Sequence, residues 1–222
     1  ITNGTLFSDS KFLKSLQDSG LEGVNLSLKG ENKKTFLDIT QKDEFDNVIN
    51  GIKNLKACGL SFSVSMVLTL DNMDTFVEGI EEAKKAGAEN FNFTFCYNFN
   101  TLKKSDKYYL VNNNPYVLIE KFMNNYEKID IATEGRFFLE QTFPLCLWDK
   151  EFIDKLNKKG QLVSICQLLS RKGLIFDTEM NLIPCNVMHE IKLGQFNKDF
   201  SNARELVDHL NKKQIKKIFN KL

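Results

Sequence analysis

Three short apolar runs, separated by two helix-length patterns, fill the stretch from Leu21 to Asn98 and leave few folds open to this chain. The runs are Val24 to Leu28, Phe62 to Leu68 and Asn90 to Phe95, and each ends in polar residues. Between them, Glu44 to Cys58 carries Phe45, Val48, Ile49, Ile52 and Leu55 at three- and four-residue spacing. Asn72 to Ala86 carries Phe76, Val77, Ile80 and Ala83 in the same way. This spacing predicts amphipathic helices. Gly59 and Gly87 stop them, because glycine accepts the left-handed backbone of a helix end. Strands alternating with helices of this length form βαβ units, and such units build a parallel sheet, so the expected fold class is α/β.

The flanks are less regular. Ile1 to Gly4 reads as the exit of a strand, with the Asn3-Gly4 pair suited to a tight turn. Ser8 or Asp9 can cap a helix running to about Ser19. Glu31 to Asp43 reads as a loop, and Thr101 to Asn114 as an exposed polar loop. Pro115 can open a helix to about Tyr126, and Ile129 to Ala132 reads as a strand. From Glu134 the βα rhythm is lost. A helix is expected near Asp149 to Lys158, and Gly173 to Phe176 and Leu182 to Pro184 are expected to form a hairpin. A single Lys-rich helix is expected from Asn202 to Leu222. The predicted domains are therefore residues 1–132 and 133–222.

Composition narrows the function classes. A net charge of +1 creates no global field, which removes the electrostatic argument for nucleic acid or a membrane surface as partner. No apolar run reaches the ~20 residues that span a bilayer, and no signal-peptide pattern occurs, so a cytoplasmic location is expected. Five cysteines, an odd number in a chain without secretory features, point to metal or cluster binding, or to burial, ahead of disulfides. The chain opens on Ile, and we expect it to be part of a longer protein.

Three groups of residues can carry chemistry. The first gathers at the expected C-terminal ends of the strands: Thr2, Asn3, Ser27, Lys29, Ser65, Thr69, Asn72 and Thr94. Ligands of parallel α/β proteins bind at that end of the sheet. Turn-forming and capping would account for most of these residues too. Ser27 and Ser65 are harder to explain that way, since each places a hydroxyl inside an apolar strand. The second group is Cys146, Cys166 and Cys185. Thiolates bind iron–sulfur clusters or zinc, and either would staple a segment poor in apolar residues. Their wide spacing matches no compact C-x-x-C motif, and burial of three structural cysteines is the competing reading. His189 could add a ligand, His209 is expected at the surface, and Cys96 could line a pocket, though burial is the simpler expectation. The third group is the run Lys212, Lys213, Lys216, Lys217 and Lys221, expected to be a solvated helix face.

In order and spacing, these residues resemble the radical S-adenosylmethionine (SAM) enzymes. Thr2-Asn3-Gly4-Thr5-Leu6 resembles the family's "TNG" turn, and Val24 to Leu28 its "ISLDG"-like strand. Phe45 to Gly59 resembles the helix that follows, and Val64 to Leu68 with Asn72 resembles the next strand and its exit. Cys166, Gly173, Leu182-Ile183-Pro184-Cys185 and Leu193-Gly194 resemble the SPASM or twitch extension, which holds auxiliary [4Fe–4S] clusters.

The resemblance implies a partial (β/α) TIM-like barrel with a small Cys-bearing extension. It also implies SAM and a [4Fe–4S] cluster as cofactors, and a 5′-deoxyadenosyl radical that abstracts a substrate hydrogen. By position it makes Asn3, Ser27, Ser65 and Asn72 the SAM contacts, and Cys146, Cys166 and Cys185 the ligands of an auxiliary cluster. A peptide or protein substrate and a reductant protein are the implied partners. Three features depart from the family. The C-x-x-x-C-x-x-C that holds the SAM cluster and the Gly-Gly-Glu after it are absent, so this chain alone is expected to be inactive. Lys29 stands where many relatives have Asp. No cysteine follows Cys185. The alternatives are a zinc- or disulfide-stabilised peptide-recognition domain and a metal-free α/β-barrel enzyme.

Overall fold

A computed structural model describes residues 1–96, 114–140, 143, 145–163, 175–184 and 190–219. The described residues fall into two units. One holds residues 1–163, the other residues 175–219.

The first unit is built on five parallel strands in sequential order: β1 (Gly23–Ser27), β2 (Ser61–Leu68), β3 (Phe91–Phe95), β4 (Phe137–Glu140) and β5 (Leu162–Val163). Thr2 adds a parallel bridge to Leu26 on the free edge of β1. The helices are α1 (Ser10–Asp18), α2 (Lys33–Thr40), α3 (Phe45–Ala57), α4 (Phe76–Lys85), α5 (Pro115–Thr133) and α6 (Lys150–Lys158). Together they form the partial (β/α) barrel that the resemblance implies.

The strands alternate with a period of two. Leu26, Leu28, Val64, Met66, Leu68, Phe91, Phe93, Phe95 and Leu139 are buried in one core with Val48, Ile52 and Leu55 of α3, Phe76 and Ile80 of α4, and Phe122 and Tyr126 of α5. Full burial of such side chains stabilises by about 1.5–3 kcal/mol each. A one-residue slip would move a whole strand's apolar set to the other face, so burial fixes the register.

The edge is held from α3. Asn54 Nδ2 donates to the carbonyls of Phe7 (2.8 Å) and Ser8 (3.0 Å) in the 3-10 turn that follows Gly4. Gly51 lets α3 approach closely, since a Cβ there would lie 2.7 Å from the Gly4 carbonyl oxygen. Gly4 has a positive φ of 75°, and a Cβ on it would strike Leu26 at 2.4 Å.

Four expectations about secondary structure need correction. Residues 31–43 are not all loop, because α2 forms there under a capping box between Asn32 and Thr35. Only Phe36 of this short helix is buried, so it has no periodicity to read. Ile129 to Ala132 is the last part of α5 and not a strand; the apolar face from Leu118 through Phe122, Tyr126 and Ile129 overrides the local β preference. The βα rhythm continues past residue 132 through β4, α6 and β5, so the sheet-bearing unit runs to residue 163. Strands of four and two residues leave little pattern in a sequence. Gln161 anchors the last of them: it is buried, accepts from Tyr126 (2.8 Å), and donates to Asp130 (2.7 Å) and to the Gly135 carbonyl (3.1 Å). The fourth correction concerns the C-terminal helix, which is two, α7 (Ala203–Leu210) and α8 (Lys213–Phe219).

The second unit carries an antiparallel sheet of β6 (Ile175–Phe176), β7 (Asn181–Ile183) and β8 (Gly194–Gln195), so the expected hairpin forms. His209, expected at the surface, is buried. Its Nε2 lies 2.7 Å from the Leu193 carbonyl oxygen and its ring packs on Phe200. Gly194 makes the room, since a Cβ there would stand 2.6 Å from Nε2.

Asp177 ties the hairpin turn together. Its carboxylate accepts from the Asn181 side chain (2.8 Å), from the Asn181 amide (2.8 Å) and from the Glu179 amide (2.9 Å). These bonds, those from Asn181 foremost, hold its pKa at about 2, below the ordinary 3.8. A carboxylate depressed on folding stabilises above its unfolded pKa, and the contribution is lost as pH falls through the folded value. Stability of this unit should therefore drop between about pH 4 and about pH 2. Asp177→Asn should flatten that dependence in thermal melts across the same range. For the first unit, Gly51→Ala should destabilise by about 1–3 kcal/mol in urea titrations, because the new methyl meets backbone.

Candidate functional site

The sheet face turned away from the helices is polar. In register across the strands, Asn25 pairs with Ser63, Ser27 with Ser65, Ser65 with Asn92, and Val67 with Thr94. Paired residues of a parallel sheet point the same way, so these side chains form tiers on one face. All are half-buried, in contrast to their fully buried neighbours in the chain. Helices lie outside a (β/α) barrel, and this face is therefore its interior. Ser65 donates to the Asn25 side-chain oxygen, and Asn92 Nδ2 reaches Ser63 Oγ at 3.5 Å. The hydroxyls of Ser27 and Thr94 make no hydrogen bond among the described residues. Farther along, the same face carries Phe138 and Val163, both exposed.

The structure distributes the expected site residues unevenly. Ser27 and Ser65 are direct neighbours on the interior face. Asn3 is exposed at the edge, its Oδ1 engaged by the Thr5 amide (3.3 Å) and hydroxyl (3.2 Å). Asn72 spends its amide on backbone: Nδ2 donates to the Val67 carbonyl (2.8 Å) and Oδ1 accepts from Thr69 N–H (2.8 Å). It shapes the exit of β2. Asn25, Ser63 and Asn92 were not singled out by reading the strands as apolar runs. The signal was present in the alternations N-x-S, S-x-S and N-x-T, which mark a sheet with one apolar and one polar face.

Above these tiers, at the C-terminal ends of β1 to β3, lies a cleft of about 210 Å³ lined by Lys29, Ile39, Val67, Thr69, Asp71 and Cys96 among others. Cys96 is thus half-buried at a pocket wall. An aromatic cluster of Phe95, Phe122, Phe143 and Trp148 packs near the end of β3. Cys146 is exposed, with a free thiol, in the short 3-10 helix Leu145–Leu147. Cys166, Cys185 and His189 lie outside the described residues, so the proposed ligand trio is not brought together by them. Among the described residues no three Cys, His, Asp or Glu side chains gather as a metal site.

In parallel α/β barrels, ligands bind at the C-terminal ends of the strands, where this cleft lies. No family model matches the chain. A GTP 3′,8-cyclase of Aliarcobacter butzleri (strain RM4018) is 42% identical over 66 residues, 30% of this chain and 20% of that protein. A GTP 3′,8-cyclase of Helicobacter pylori (strain J99) is 38% identical over 84 residues, 37% of this chain and 26% of that protein. In fold, the chain is similar to anSMEcpe solved with bound AdoMet, with a TM-score of 0.61 at 18% identity. That match covers 97% of this chain and 57% of the other. The same protein with bound AdoMet and a peptide, Kp18Cys, matches with a TM-score of 0.60. The chain is thus similar in sequence to these cyclases over about a third of its length, and similar in fold to anSMEcpe over nearly all of it. It spans less than two thirds of the length of each of these proteins. Among the described residues no helix is long and apolar enough to cross a membrane.

Asn72 offers a direct check of the cleft's construction. Asn72→Ala should leave Val67 O and Thr69 N–H without partners, costing about 1–3 kcal/mol in chemical denaturation. Amide exchange at Thr69 should speed up, whereas Asn72→Asp, which keeps the acceptor, should protect that amide.

Proposed function

We propose that this chain is the SAM-binding and substrate-shaping part of a radical SAM enzyme. The observation that carries the reading is the open polar tier of Ser27, Ser65 and Asn92 on the interior of a partial (β/α) barrel. Such a tier suits SAM. Its ribose hydroxyls and adenine nitrogens need neutral donors and acceptors, and Ser27 has an unengaged hydroxyl to offer. Ser65, though it donates to Asn25, keeps lone pairs free. Asn72 acts through the backbone it fixes, and Asn3 contributes from the edge turn. SAM bound at a reduced [4Fe–4S] cluster supplies a 5′-deoxyadenosyl radical. The residues of this chain bind and orient; they do not ligate that cluster, since the sequence contains no C-x-x-x-C-x-x-C.

A peptide or protein is the substrate we favour, supported by the likeness to anSMEcpe solved with a peptide and AdoMet. The exposed Phe138 and Val163 on the interior face add an apolar wall that suits side-chain contacts. A guanine nucleotide is the second reading, supported by the relatives named GTP 3′,8-cyclase. Cys146, Cys166 and Cys185 are the proposed ligands of an auxiliary cluster, and a reductant protein supplies the electron.

Calorimetric titration with SAM tests the core of the reading. Ser27→Ala and Ser65→Ala should each weaken binding about three- to tenfold, the worth of one hydrogen bond. Unchanged affinity in both would remove the interior tier from the SAM site. The chain alone, given SAM and dithionite, should release no 5′-deoxyadenosine. Anaerobic reconstitution should load less iron on Cys185→Ser than on the native sequence.

A further inference from the structure

The strand-end cleft contains a cation with no partner among the described residues. Backbone pairing holds β1 against β2 up to Leu28, whose N–H donates to the Ser65 carbonyl at 2.9 Å, so Lys29 is the first residue to leave the sheet. The next residue, Gly30, is buried under the first turn of α2. A Cβ there would lie 2.7 Å from Phe36 N and from Thr35 Oγ1. The path of the chain is therefore fixed on both sides of Lys29, and with it the base of a side chain that lines the cleft.

Lys29 is half-buried and makes no hydrogen bond or ion pair among the described residues. Several other lysines of this unit are paired. Lys33 pairs with Asp46, Lys56 with Glu89, Lys84 with Glu134, Lys121 with Asp74, and Lys159 with Asp130. A half-buried lysine that no carboxylate among the described residues engages keeps its ammonium available to an anion in the cleft.

We propose that Lys29 makes the strand-end cleft a subsite for an anionic group, a carboxylate or a phosphate, on the molecule that binds there. The inference rests on the reading of this end of the barrel as the ligand side. The anion forms a charge-assisted hydrogen bond with Nζ, which is stronger than a neutral one and selects against uncharged analogues. The volume, about 210 Å³, accommodates a single such group with part of its carrier.

Two matched pairs of probes test this by calorimetry on the full chain: GTP against guanosine, and SAM against decarboxylated SAM. In the native protein, for one pair, the member that carries the phosphate or carboxylate should bind more tightly than the partner that lacks it. Lys29→Ala should reduce that preference about tenfold, leaving the affinity of the member without the anionic group within about twofold. Lys29→Arg should restore it, and Lys29→Met, which keeps the aliphatic stem, serves if the alanine variant melts early. Movement of the GTP pair identifies a phosphate, and movement of the SAM pair a carboxylate. Binding with unchanged preference in Lys29→Ala and Lys29→Met would overturn the role of Lys29 while leaving the ligand side intact. Native protein that binds none of the four probes would overturn both.

Discussion

The parallel register of β1, β2 and β3 is the constraint on which the rest of the first unit depends. Because side chains alternate across a strand, one register decides two faces together. Leu26, Val64, Met66 and Phe93 go under the helices, and Asn25, Ser27, Ser65 and Asn92 go to the interior. The buried face supplies the free energy, and the polar face is positioned by it without contributing much stability of its own. Ser27 and Ser65 meet because Leu26 and Val64 cannot be exposed.

A second layer of positioning comes from backbone rather than from apolar burial. Gly51 and Asn54 of α3 hold the turn that bears Asn3, and Asn72 holds the exit of β2. Gly30 fixes the departure of Lys29 from the sheet. Each of these residues has one face in the protein's architecture and a neighbour facing the cleft or the edge. That arrangement explains why a family motif can be read as turn chemistry and as ligand chemistry at once. Asn72 in particular shapes the cleft, since its side chain is used on the backbone of Val67 and Thr69.

The second unit solves a different problem. Its core cluster of Leu182, Leu193, Phe200 and Ile215 is small, and polar ties supplement it. Asp177 gathers the hairpin turn, and His209 caps the Leu193 carbonyl beneath Gly194. Small cores commonly need such staples, whether hydrogen-bonded or metallic. The Leu193-Gly194 pair, noticed in the sequence as part of a motif, has its physical reason in the space His209 requires.

The sequence by itself determined the alternation of strands and helices from Leu21 to Asn98 and the helix stops at Gly59 and Gly87. Those features repeat at short range and are set by local periodicity. It also contained the polar interior face, in the alternation of Asn and Ser with Leu, Val and Phe, though apolar content masked it. Only the tertiary structure decided that Ser27 sits beside Ser65, that β4 and β5 extend the sheet, that His209 is buried, and that Lys29 lines a cleft with no partner among the described residues. Those facts depend on pairings between residues tens of positions apart, and a two-residue strand or a lone lysine carries no period to announce them.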